Sequence, residues 1–228
     1  MSDKRSCVLL AGGYSHPFEE TGSALEQMLV DGGWSVDRFS RPEPAIGALA
    51  DDTDLFVINA LYWSMSQHEK YQADRAQWAH HLADSDLAAM FKFVRTGGAL
   101  LAIHTSVICW DTQPGWLDLL GGGWRWGRTH HPPMGEVQVR LTEMGRAISD
   151  GPDEFGLIDE VYHALDPLPD AEILAEGIAG GEPQPVAWLR PEGDGLVGVD
   201  ALGHDGRSLN NPGHSGLLHG MLERIRSR

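Results

Sequence analysis

The sequence predicts an α/β fold with a parallel core sheet and antiparallel or mixed additions in the C-terminal half. Three observations carry this. Short all-apolar runs end in glycine, amphipathic segments lie between them, and after Gly121-Gly122-Gly123 strand-like segments follow one another with few helices between. Ser6 to Ala11 (SCVLLA), closed by Gly12-Gly13, reads as a strand buried on both faces. Phe18 to Val30 has apolar residues at Phe18, Leu25, Met28 and Leu29, acids in its first turn and Gly32-Gly33 as its stop, which predicts a helix. Trp34 to Phe39 and Asp54 to Ala60 are the next strands. Tyr62 to Ser85 turns polar and reads as a surface excursion with some helix in it.

Asp86 to Val94 is an amphipathic helix that closes on Thr96-Gly97-Gly98, and Ala99 to Ile103 (ALLAI) is the most hydrophobic strand, so it belongs in the sheet centre. The later strands are expected at Glu136 to Leu141, Leu157 to His163, Glu172 to Glu176, Pro185 to Leu189 and Leu196 to Val199. Pro212 to Arg226 supplies the last helix, with proline at its start and arginines at its end. No repeat and no dividing linker is visible, so residues 1–228 read as a single domain.

With 228 residues, 42% of them hydrophobic and 22% charged, the chain suits a compact soluble domain that needs no disulfide or structural metal. Any metal therefore serves chemistry. Seventeen Lys and Arg against 33 Asp and Glu give a formal charge of -16, which disfavours nucleic acid and anionic membrane surfaces as partners. Cys7 and Cys109 make no disulfide framework and are expected to be reduced. Gly12-Gly13 cuts the first apolar run too early for a signal-peptide core or a membrane span, so a cytoplasmic protein is expected, and a homo-oligomer is the usual state of such a protein.

Ligands of open α/β sheets bind outside the carboxyl ends of the strands. Three histidines meet that test: His16 after the first strand, His104 directly after ALLAI, and His204 after the last strand. Asn59 and Tyr62, with Trp63 beside them, stand at the same end of the third strand and are candidate substrate contacts. In GGGWRWGRTHH the glycines lack the Lys-Ser/Thr of a phosphate loop, so they read as a turn and no nucleotide is expected. There, His130 or His131 extends the site if it faces the sheet. Asp159-Glu160 with Tyr162 (IDEVYH) sets two acids in an apolar run, where a buried carboxylate needs a histidine or a cation as partner. His68, His80 and His81 read as solvated surface, and His214 and His219 as the exposed side of the final helix. No H-E-x-x-H, paired C-x-x-C or G-x-S-x-G occurs. Cys109 falls too far past the turn to occupy a nucleophile elbow and reads as a small buried hydrophobe.

The series GGALLAIHTS, LLGGGW, IDEVYH, PVAWLR and GLVGVDALGHD resembles the trehalose-utilisation (ThuA-like) family over nearly the whole chain. The resemblance implies a flavodoxin-like three-layer fold similar to class I glutamine amidotransferases, with His104 where those enzymes carry their cysteine. It also implies a role in disaccharide or keto-sugar catabolism and carries over to His16, His104, Glu160 and His204 as the pocket.

The leading expectation is an enzyme on a sugar or keto-sugar, with His104, Glu160 and His204 as catalytic groups and Asn59, Tyr62, Trp63, His130 and Tyr162 contacting substrate. His16, His104 and His204 are the expected ligands of a divalent metal, zinc first, and without metal the same groups would act as an acid/base set. Two alternatives belong to other classes. One is a non-catalytic carbohydrate-binding or regulatory module with Trp63, Trp110 and Trp124 as stacking platforms; the other is a hydrolase using Cys109 with a nearby histidine.

Overall fold

The computed structural model describes residues 5–228. Its elements in chain order are β1 (Arg5–Gly13), α1 (Phe18–Asp31), β2 (Trp34–Phe39), α2 (Pro42–Gly47), β3 (Thr53–Leu61), α3 (Arg75–Trp78), α4 (Asp84–Arg95), β4 (Ala99–Ile103), α5 (Pro114–Leu120), β5 (Gly135–Leu141), α6 (Glu143–Ile148), β6 (Glu154–Asp159), β7 (Glu172–Ile178), β8 (Gln184–Glu192), β9 (Gly195–Asp200), α7 (Gly206–Leu209) and α8 (Pro212–Arg226). All the strands join one sheet, in the order β2-β1-β3-β4-β9-β8-β7-β5-β6.

The pairs β1–β2, β1–β3, β3–β4 and β4–β9 are parallel, and the rest are antiparallel. The mixed character expected of the second half is present, but the sheet is larger than a simple parallel core. The last strand keeps its chain neighbour β8 on one side and docks on β4 with the other, with Ile103 opposite Asp200. Ala99–Ile103 is thus flanked on both sides.

Strand alternation sends successive side chains to opposite faces, which explains why the apolar runs are continuous. Cys7, Leu9, Leu55, Val57, Leu101 and Ile103 enter one core with Leu25 and Leu29 of α1 and Leu217 and Met221 of α8. Val8, Leu10, Phe56, Ile58, Leu100 and Ala102 enter the other with Ile46 of α2, Met90 and Val94 of α4, and Trp116 of α5. Cys7 and Cys109 are both free and buried. Among the described residues no helix is long and apolar enough to cross a membrane.

Three expectations are corrected. The strand expected at Leu157 to His163 ends at Asp159, because the Asp159 carboxylate takes the Glu160 backbone N–H at 2.7 Å and the chain leaves the ladder. His163 returns only to a single bridge with His130. The excursion from Tyr62 to Ser85 is not all surface: Tyr62, Trp63, Met65 and Leu82 are buried, and Trp63 and Met65 pack with Phe18 and Leu61. His214 does not face solvent; it lies wholly buried against Asp200, whereas His219 is exposed. The short helices α2, α5, α6 and α7 had no periodic signal to announce them.

Leu101 is almost completely buried between the sheet and its helices. Leu101→Ala is expected to cost about 2–5 kcal/mol of unfolding free energy, measured by urea denaturation.

Candidate functional site

Each candidate side chain stands where a strand stops. His16 lies in the loop after β1, His104 opens a short 3-10 turn after β4, His204 follows β9, and Glu160 follows β6. His104 has φ +50, a left-handed conformation that costs a residue with a β-carbon about 1–3 kcal/mol and is concentrated at functional sites. The neighbouring loop reaches it through Gly203 at φ +108, where a β-carbon would stand 3.2 Å from Ile103 Cγ2 and 3.9 Å from His104 Cβ. Although β6 is the far strand of the sheet, Asp159 at its end takes the Gly203 N–H at 2.8 Å and so sets Glu160 beside His204.

The three imidazole centroids are 4.9–5.4 Å apart. His104 Nε2 lies 3.3 Å from His204 Nδ1, and Glu160 Oε2 lies 3.6 Å from His204 Nδ1 and 3.8 Å from His104 Nε2. The Tyr162 hydroxyl is 3.1 Å from His104 Nε2 and 3.4 Å from Glu160 Oε2, and its ring stacks on His104. His16, His104, Glu160 and His204 each offer one ligand atom within 4.8 Å of the others. Tetrahedral zinc ligands at 2.0–2.1 Å stand roughly 3.4 Å apart, so closing the set needs small side-chain adjustments only.

Backbone carbonyls set the tautomers. His104 Nδ1 is 3.1 Å from the Ala201 carbonyl and His16 Nδ1 is 3.4 Å from the Tyr14 carbonyl; a carbonyl only accepts, so each Nδ1 carries the proton. Both Nε2 lone pairs are thereby left for a cation or a proton. The residues present fit a divalent metal ion.

Burial, then the neighbouring His104 and His204, pushes the His16 pKa down to about 4. Burial also lowers that of His104, against Asp159 and the Ala201 bond. Burial alone would raise the Glu160 pKa, but the His204 hydrogen bond and the nearby imidazoles hold it at about 2. His204 is raised, chiefly by that same bond to Glu160. The site therefore holds two rings that burial disfavours in charged form, next to a carboxylate and an imidazole whose proton affinity that carboxylate raises.

The other expected contacts divide. Tyr162 joins the cluster. Trp63 lines a cleft of about 300 Å³ with Tyr14, Ser15, His16, Leu61, Lys70 and Tyr71, so it borders the site through His16. Asn59 does not reach the cluster: its amide donates to Thr21 Oγ1 at 2.6 Å. Tyr62 is buried with its hydroxyl on the Ser40 carbonyl. His130 is turned away and stacks on His163, while His131 Nδ1 comes to 3.6 Å from Glu160 Oε1. Cys109 donates to the Ala60 carbonyl, has no histidine among its hydrogen-bond partners, and burial pushes its thiol up to about 12. A buried thiol of this kind is the opposite of the exposed, low-pKa cysteine on which the cysteine-hydrolase alternative relies. Sequence reasoning missed the anchors beneath the cluster, Asp200, Ser208 and His214; an aspartate ending a strand three residues before a glycine-histidine pair is the available signal for the first.

A family model described as "ThuA: Trehalose utilisation" matches residues 7–223. A search of curated proteins returns no match. Among solved structures, a ThuA-like protein of Parabacteroides merdae ATCC 43184 superposes with TM-score 0.72 at 15% identity, covering 99% of this chain and 91% of that one. A ThuA-like protein of Bacteroides uniformis ATCC 8492 gives TM-score 0.73 at 12% identity, covering 100% and 94%. A β-galactosidase of Bacillus circulans sp. alkalophilus gives 0.60 at 14% identity, covering 98% of this chain but 31% of the enzyme. At these identities the structures establish the fold.

Two titrations follow from the electrostatics. In the metal-free protein, NMR is expected to place the His16 midpoint at about 4, and Glu160→Gln to lower the His204 midpoint by removing its hydrogen-bonding carboxylate. Because folded His16 takes its proton only near 4 while the unfolded chain takes it near 6.5, its contribution to stability is present above 6.5 and is lost as pH falls through that window. A His16 midpoint near 6.5 would contradict this geometry.

Proposed function

The chain belongs to the trehalose-utilisation (ThuA) family, and from that premise we propose that it is an enzyme acting on a sugar or keto-sugar at the His16–His104–Glu160–His204 cluster. The observation that carries the reading is the convergence of three imidazoles and one carboxylate, two of the rings having their Nε2 lone pairs freed by backbone carbonyls. A divalent ion fits this donor set, and His/carboxylate ligation favours zinc or a neighbouring transition metal. When bound, such an ion supplies Lewis-acid polarisation of a carbonyl or hydroxyl oxygen.

The chain's own residues supply the rest. Glu160 raises the proton affinity of His204, and Tyr162 sets its hydroxyl between His104 and Glu160, within reach of an oxygen bound at the cluster. His104, fixed by Ala201, accepts. These groups suit proton movement next to a keto group. The cleft bordered by Tyr14 and Tyr71, with Trp63 buried at its base, adjoins His16 and offers the half-buried tyrosine rings to a sugar. The parallel order β2-β1-β3-β4-β9 supports a flavodoxin-like, amidotransferase-related reading of the core.

Metal analysis of protein purified without a histidine tag is expected to find one equivalent of divalent metal, and chelation to abolish turnover of keto-disaccharides. Sub-stoichiometric metal with turnover unchanged in chelator leaves the acid/base version in place of the metal one. His104→Ala is expected to reduce kcat by roughly 10²–10⁴-fold. Saccharide binding by His104→Ala equal to the parent's, with no turnover by either protein, would instead establish a binding module.

A further inference from the structure

Below the cluster lies a second set of polar groups that touches nothing outside the protein. Asp159, Asp200, Ser208 and His214 are each no more than 1% exposed. Asp159 gathers four donors. Its Oδ1 accepts the backbone N–H of Glu160 at 2.7 Å and of His204 at 3.4 Å, and its Oδ2 accepts the Gly203 N–H at 2.8 Å and the Ser208 hydroxyl. One carboxylate thus holds the main chain of two of the four candidate ligands, one following the edge strand β6 and the other the central strand β9.

The donor count then continues inward. Ser208 Oγ has given its proton to Asp159, so it accepts from His214 Nδ1 at 2.9 Å, and the Ser208 carbonyl also faces that nitrogen at 3.0 Å. Nδ1 must therefore donate. On the other side of the ring, Nε2 lies 2.8 Å from Asp200 Oδ2, while Asp200 Oδ1 accepts the Leu202 N–H at 3.0 Å. Both ring nitrogens of the buried His214 thus face acceptors, Asp200 on one side and the Ser208–Asp159 pair on the other. Burial opposes a charge on the ring, and the two aspartates outweigh it, so the His214 pKa is raised. The order Ser–His–Asp is that of a hydrolytic triad, but none of its members is open to a substrate.

We infer that Asp159, Ser208, His214 and Asp200 form a buried strut of positioning residues that presets Glu160 and His204 for the group the cluster binds. The inference rests on the metal reading for the identity of that group, and on hydrogen bonding alone for the presetting. Outer partners of this kind typically change metal affinity 10–100-fold when removed.

Cobalt(II) titration, followed by its ligand-field absorption, and amide exchange at Gly203 and His204 test it together. Asp159→Asn places an amide against three N–H donors and can fail to fold, so Ser208→Ala carries the test, with Ile225→Ala in the same helix as His214 as a destabilised control. Ser208→Ala is expected to weaken cobalt binding about 10–100-fold and to speed exchange of both amides at least about tenfold, while Ile225→Ala leaves the affinity and the spectrum unchanged. Wild-type affinity, spectrum and amide protection in folded Ser208→Ala would overturn the strut, as would an equal loss of affinity in Ile225→Ala. If the parent protein binds no cobalt, the metal reading fails on its own, and the amide exchange alone decides whether the strut presets the loop.

Discussion

The parallel pairing of β9 with β4 is the constraint on which the site depends. It puts Ile103 opposite Asp200, so the residues that follow, His104 on one strand and the Ala201–His204 loop on the other, leave the sheet side by side at its carboxyl edge. Everything local then follows from that register: Ala201 fixes the His104 tautomer, Gly203 packs against Ile103, and His204 meets His104. A shift of one residue would turn alternate side chains to the wrong face and dissolve both the core and the cluster.

Within the cluster, burial and charge act against each other in a useful way. Desolvation keeps His16 and His104 neutral, which is the state that can accept a metal or a proton. One carboxylate, Glu160, is kept ionised by His204 and its neighbours despite partial burial. An extra buried acid beside it would have no such compensation, and Asp159 avoids that conflict by pointing inward to backbone N–H groups and Ser208.

Much of this was legible in the residues. Ala99–Ile103 and Pro212–Arg226 have the bounds their glycines and proline announce, because those signals act on the backbone directly. His16, His104 and His204 were found by the rule that sites gather at strand ends, and Glu160 through an acid in an apolar run together with a family resemblance. Side-chain direction was less legible. Asn59 shares the face of Leu55 and Val57 and spends its amide on Thr21 of α1, and Tyr62 is held by Ser40. The face of α8 was misread because Leu217, Leu218, Met221 and Leu222 bury most of its circumference, leaving hydropathy no clean polar side on which to place His214. Long-range polar ties, such as Asp159 to Gly203, leave no periodic trace at all.

Docking the last strand in the middle of the sheet also governs the order of assembly during synthesis. When β1, β3 and β4 have left the ribosome, the segment that completes them has yet to be made, and the ALLAI edge stands unpaired. A nascent chain at that stage carries an apolar, aggregation-competent template and a half-built pocket, so its yield in a cell depends on how well that edge is shielded until Gly195–Asp200 arrives.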